Sequence, residues 1–106
     1  MMTCKEFVED ILGVFEVAGA IVKKKNADYS GDADPFKNFK LCDAAGLASV
    51  EQGIMVRMFD KMGRISTLLG KEDSAQINES IDDTLMDLIN YAAILIVYRK
   101  SKHVNV

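Results

Sequence analysis

Three stretches of this chain repeat their apolar residues at helical spacing, and none alternates apolar and polar residues as a half-buried strand would. That pattern excludes sheet architectures. It predicts an all-α fold, a helical bundle of three main helices with a long ordered loop. The first helix is expected over residues 3–25, where Phe7, Ile11, Val14, Phe15, Ala18 and Val22 share one face. Thr3 and Glu6 have capping-box spacing, and Lys23, Lys24 and Lys25 suit the negative end of the helix dipole. The second is expected over residues 50–69. Ser49 and Gln52 form a capping box, Gly70 marks a stop, and Met55, Met58, Met62, Ile65 and Leu69 form an apolar stripe. The third is expected over residues 77–100, with Asp73 or Ser74 as earlier alternative caps and a core face of Ile81, Leu85, Leu88, Ala92 and Ile96.

Residues 26–46 break the helical pattern with Gly31, Pro35 and aspartates 28, 32, 34 and 43. A loop this long needs a task, and this one carries Tyr29, Phe36 and Phe39. Calcium by the EF-hand route is not expected: counting from Asp28, Ala33 and Phe39 stand where Gly and Glu are required. A length of 106 residues is that of one domain, residues 1–106, with a modest core. A 49% hydrophobic fraction is generous for such a core, so burial of apolar surface against another copy of the chain is expected. The net charge of −3 supplies no basic footprint for a nucleic acid polymer. No apolar run is long enough to span a membrane. Lys5, Glu6, Glu9 and Asp10 stand where a signal peptide needs apolar residues, so a cytoplasmic location with reduced Cys4 and Cys42 is expected.

The third helix carries the most chemistry. On a helical wheel Glu79, Asp83, Asp87 and Asn90 fall within about 80° of one another, opposite the apolar set. Such a line is ordinarily a solvated face. Here it runs on into Ile94 and Val97, which predicts that the helix becomes buried all round towards its C-terminal half. Acids at this spacing repel and call for a positive counterpart. That counterpart is either Arg57, Lys61 or Arg64 of the second helix, or a divalent metal such as Mg²⁺ or Mn²⁺. In Arg57-x-x-Asp60-Lys61-x-x-Arg64, Asp60 would add a carboxylate ligand and the cations would hold phosphate, unless the cluster is a surface ion-pair network. Tyr29 and Phe39 either stack a nucleobase or pin the loop to the core. His103 lies in the tail, and neither cysteine has a histidine partner in the sequence pattern.

The segments KKKNADYSGDADPFKNF, VRMFDKMGRISTLL and NESIDDTLMDLINYA, spread over residues 20–98, together resemble phage proteins of the nucleotide-modification-associated group. These are distant relatives of the MazG-like all-α nucleoside triphosphate pyrophosphohydrolases. The resemblance implies a helical protein of phage or host cytoplasm that forms dimers or tetramers. It implies cleavage of a (deoxy)nucleoside triphosphate to monophosphate and pyrophosphate with Mg²⁺ or Mn²⁺. On this reading Asp60, Glu79, Asp83 and Asp87 hold metal. Lys61, Arg57 and Arg64 stabilise phosphate charge, and Asn90 orients a carboxylate or touches the sugar. Tyr29, Phe39, Asn38 and Lys25 contact the nucleotide. The chain departs from the E-x-x-E and E-x-x-D pattern of such enzymes: Arg57 precedes Asp60, and Ser80 takes a glutamate position when Asn90 is aligned. That alignment favours Asp83 over Asp82 as ligand. The departures keep open a binding protein that sequesters a nucleotide or cyclic nucleotide without turning it over.

Overall fold

The computed structural model describes residues 1–26 and 34–103; Tyr29 lies outside the described residues. The chain is all-α. Four helices follow in order, α1 (Cys4–Asn26), α2 (Lys37–Ala44), α3 (Val50–Leu69) and α4 (Ala75–His103), with no strand among the described residues. They belong to two units, Met1–Asp32 and Ala33–Val106.

In the first unit, Thr3 Oγ1 accepts the Glu6 backbone N–H at 3.1 Å, which satisfies one of the donors left open at the start of α1. Three lysines occupy its last turn. Ala18 is buried, while Phe7, Ile11 and Phe15, assigned by periodicity to a core face, are exposed.

In the second unit, α3 and α4 form a hairpin. Contacts between Lys61 and Asp87, and between Glu51 and both Arg99 and Lys102, show that the two helices run antiparallel. The Ser49 capping box is complete: Ser49 Oγ accepts from Gln52 N at 3.1 Å and Gln52 Oε1 accepts from Ser49 N at 3.0 Å. Gly70 ends α3 at an ordinary right-handed φ of −80°, with the chain tightening into bonds to Thr67 and Leu68 carbonyls, so the freedom of glycine is not used. Ser74 caps α4, accepting from Ile77 N at 3.1 Å, which places the helix start at the earlier of the two expected positions.

The segment read as a loop contains a further helix, α2. Eight residues are too few to hold a helix alone. Packing supplies the rest. Phe39 lies on Gly53 of α3 so closely that a Cβ there would meet its ring at 3.1 Å. Phe36 meets Tyr98 of α4 edge to face, with ring centroids 5.2 Å apart. At its N-terminal side, Asp34 accepts Phe36 N–H at 2.9 Å and Lys40 Nζ at 2.6 Å, and these bonds hold its carboxyl below the usual carboxylate range.

The core of this unit is Val50, Ile54 and Leu68 of α3 against Thr84 of α4, with Ile54 fully enclosed. The Thr84 hydroxyl donates to the Ser80 carbonyl at 2.7 Å, so this buried polar side chain is satisfied. This seam is not where the apolar stripes point. The stripe of Met55, Met58, Met62, Ile65 and Leu69 is centred about 60° from Ile54, and the apolar set of α4 about 80° from Thr84. Nor is α4 buried all round towards its C-terminal half, since Ile96 and Val97 are each 56% exposed. The apolar residues outnumber those that one helix–helix seam can cover.

Candidate functional site

Lys61 and Asp87 join the two helices at the seam. Lys61 Nζ stands 3.4 Å from Asp87 Oδ2, and their side chains keep 30% and 27% of their exposure. Lys61 is thus the positive counterpart that the sequence required for at least one acid of α4. A lysine can reach this position because its apolar stem runs along the seam while its ammonium stays partly wet.

The remaining charged residues sort by helical phase. Measured from Ile54, Arg57, Arg64 and Asp60 of α3 are turned about 60° to 120° to one side. Measured from Thr84, Asp87, Asp83, Asn90 and Glu79 of α4 are turned about 60° to 140° in the same sense. In an antiparallel pair, equal-signed rotations from the seam arrive on the same face of the hairpin. The acids of α4 and the cations of α3 therefore share one face. The Lys61–Asp87 contact sets the axial register: Arg64 comes level with Asp83 and Arg57 with Asn90. Arg57, Asp60, Arg64, Glu79 and Asp83 are exposed; Asp87 and Asn90 are half-buried. Asp82 is turned away from this face and exposed.

Other expected contributors are placed elsewhere. Phe39 is half-buried against Gly53, and Asn38 is exposed on α2. Lys25 lies in the last turn of α1, in the other unit. Tyr29 is outside the described residues. Glu51 is engaged by Arg99 at 3.6 Å and Lys102 at 3.4 Å. That pairing joins residues about fifty positions apart, and no local pattern reports it. The Phe36–Tyr98 contact was equally out of reach. Both cysteines are free and exposed.

The resemblance implies Mg²⁺ or Mn²⁺. Among the described residues no three His, Cys, Asp or Glu side chains stand close enough to hold a metal ion. The described residues therefore offer no preformed cage for a resident metal. Glu79 and Asp83, one turn apart on α4, are both exposed.

A family model described as nucleotide modification associated domain 1 matches residues 25–98. The chain belongs to this family. The match takes in α2, α3 and most of α4, so the whole polar face lies inside the nucleotide modification associated domain. The family ties the chain to nucleotide modification. No curated protein and no solved structure matches the chain significantly. No helix among the described residues is long and apolar enough to cross a membrane.

Proposed function

We propose that the chain hydrolyses a (deoxy)nucleoside triphosphate, taken as its Mg²⁺ or Mn²⁺ complex, to monophosphate and pyrophosphate, as part of phage or prophage nucleotide metabolism. The observation that carries this reading is the joint polar face, where Lys61 is anchored by Asp87 and flanked by Arg57 and Arg64 opposite Glu79, Asp83 and Asn90. Membership of a nucleotide-modification family and the MazG-like motif resemblance support the same chemistry. Arg57 and Arg64 offer bidentate donors to phosphate oxygens, and Lys61 offers a point charge. Charge developing on the phosphates as the bond breaks is stabilised by donors already in place. Glu79 and Asp83 face the substrate's cation, and Asn90 orients a neighbouring carboxylate or meets the sugar.

A second reading, nucleotide sequestration without turnover, draws on the departure from the E-x-x-E and E-x-x-D pattern, where Arg57 precedes Asp60 and Ser80 takes a glutamate position. Incubation with each (d)NTP and Mg²⁺ separates the two. Pyrophosphate release that is lost in Asp83→Asn supports hydrolysis. Saturable binding without product supports sequestration. Native chain that neither binds nor cleaves any nucleotide overturns both.

A further inference from the structure

The three acids that α4 lends to the polar face stand at different distances from the seam. Measured from Thr84, Asp87 is turned about 60°, Asp83 about 100° and Glu79 about 140°. Exposure agrees, with Asp87 half-buried and the other two exposed. The cations of α3 are graded alike: Lys61 lies about 20° from Ile54, Arg57 about 60° and Arg64 about 80°. The innermost acid and the innermost cation meet, Lys61 Nζ to Asp87 Oδ2 at 3.4 Å, and Asp87 takes part in another interaction as well.

We propose that Asp87 is a positioning residue and not a metal ligand: it fixes the Lys61 ammonium where the phosphates of a bound nucleotide would lie. The proposal rests on the nucleotide reading, and it departs from the ligand role that the resemblance gives Asp87. A divalent ion on Asp87 would share the carboxylate with the ammonium, and two cations so close repel each other. A lysine on its own spreads its charge over many rotamers, whereas the arginine fork is planar and preorganised. Among Lys61, Arg57 and Arg64, Lys61 therefore gains most from an anchor. Held before the substrate arrives, its charge needs no reorganisation when negative charge develops on the phosphates. Asp87 touches no phosphate in this role and acts through Lys61.

Inorganic tripolyphosphate with Mg²⁺ is a probe that needs no knowledge of the base. It is titrated calorimetrically into the native chain, Lys61→Met, Asp87→Asn and the double variant. Asp87→Asn is expected to weaken binding about three- to tenfold when Lys61 is present and not to weaken it beside Lys61→Met. Asp87→Glu, which keeps the carboxylate, is expected to recover most of the loss. The Mn²⁺ affinity of the tripolyphosphate-loaded chain, followed by electron paramagnetic resonance, is expected to be the same in Asp87→Asn as in the native chain. One measurement needs no variant: in the ligand-free native chain the NMR signal of the Lys61 ammonium is expected to be protected from exchange relative to that of exposed Lys71. Equal weakening in both backgrounds, a lowered Mn²⁺ affinity in Asp87→Asn, or a Lys61 signal like that of Lys71 overturns the proposal and leaves the nucleotide reading standing. A native chain that binds no tripolyphosphate overturns the proposal, and one that binds no nucleotide either overturns the nucleotide reading with it.

Discussion

Replacing Lys61 by Met and Asp87 by Asn, singly and together, measures the contact that ties the polar face to the fold. At 3.4 Å and an effective dielectric near 20, the bare attraction is about 5 kcal/mol. Both groups gave up part of their hydration to reach the seam. They keep 30% and 27% side-chain exposure, so water still screens them. Partly exposed pairs of this kind retain about 1 kcal/mol after those costs. Asp87 also takes part in another interaction, so the single variants mix several effects and the coupling energy of the cycle is the informative quantity. Urea unfolding of the four proteins, followed by circular dichroism, is expected to give a coupling of about 0.5 to 1.5 kcal/mol that shrinks in high salt. A coupling indistinguishable from zero at low salt would refute the idea that Lys61 neutralises the acidic line.

Ile54→Ala removes the fully enclosed side chain of the second unit and is expected to cost about 2 to 5 kcal/mol, read as a drop in urea midpoint. Ser49→Ala breaks the capping box of α3 and is expected to cost about 1 kcal/mol by the same measurement, with Ser49→Gly costing only a few tenths. Asp34 has its carboxyl pKa lowered by the Lys40 bond and then by the Phe36 N–H. It therefore supports the start of α2 above the unfolded carboxylate value of 3.8, and that support is lost as pH falls through the lower folded value. An NMR titration is expected to show the Phe36 amide signal moving with a midpoint below the unperturbed 3.8, and in Lys40→Met to show that midpoint raised.

Local signals were legible. The Ser49–Gln52 box, the lysines closing α1 and the Ser74 cap depend on neighbours three or four residues apart, and the structure contains each. The rotation of the seam was not legible, for a physical reason. Met55 and Met62 face outward while Ile54 and Leu68 face in. A wheel drawn from all of them averages a packed face with an unpacked one and points between the two. The α2 helix was hidden because Gly31, Pro35 and the aspartates around it read as breakers, whereas its stability comes from Phe39 on Gly53 and Phe36 on Tyr98. The acid–cation face was legible in kind, since acids repeated at helical spacing repel one another and demand a counterion. That Lys61 pairs with Asp87 follows only from the hairpin register.

The proposal that nucleotide binds the polar face of the hairpin is tested most directly by an amide chemical-shift map during titration with a Mg²⁺-bound deoxynucleoside triphosphate. Shifts concentrated at Arg57, Lys61, Arg64, Asp83 and Asn90, with Phe59, Leu85 and Ile96 silent, are the expected result. Shifts centred on the latter three, or none anywhere at saturating nucleotide, would contradict it.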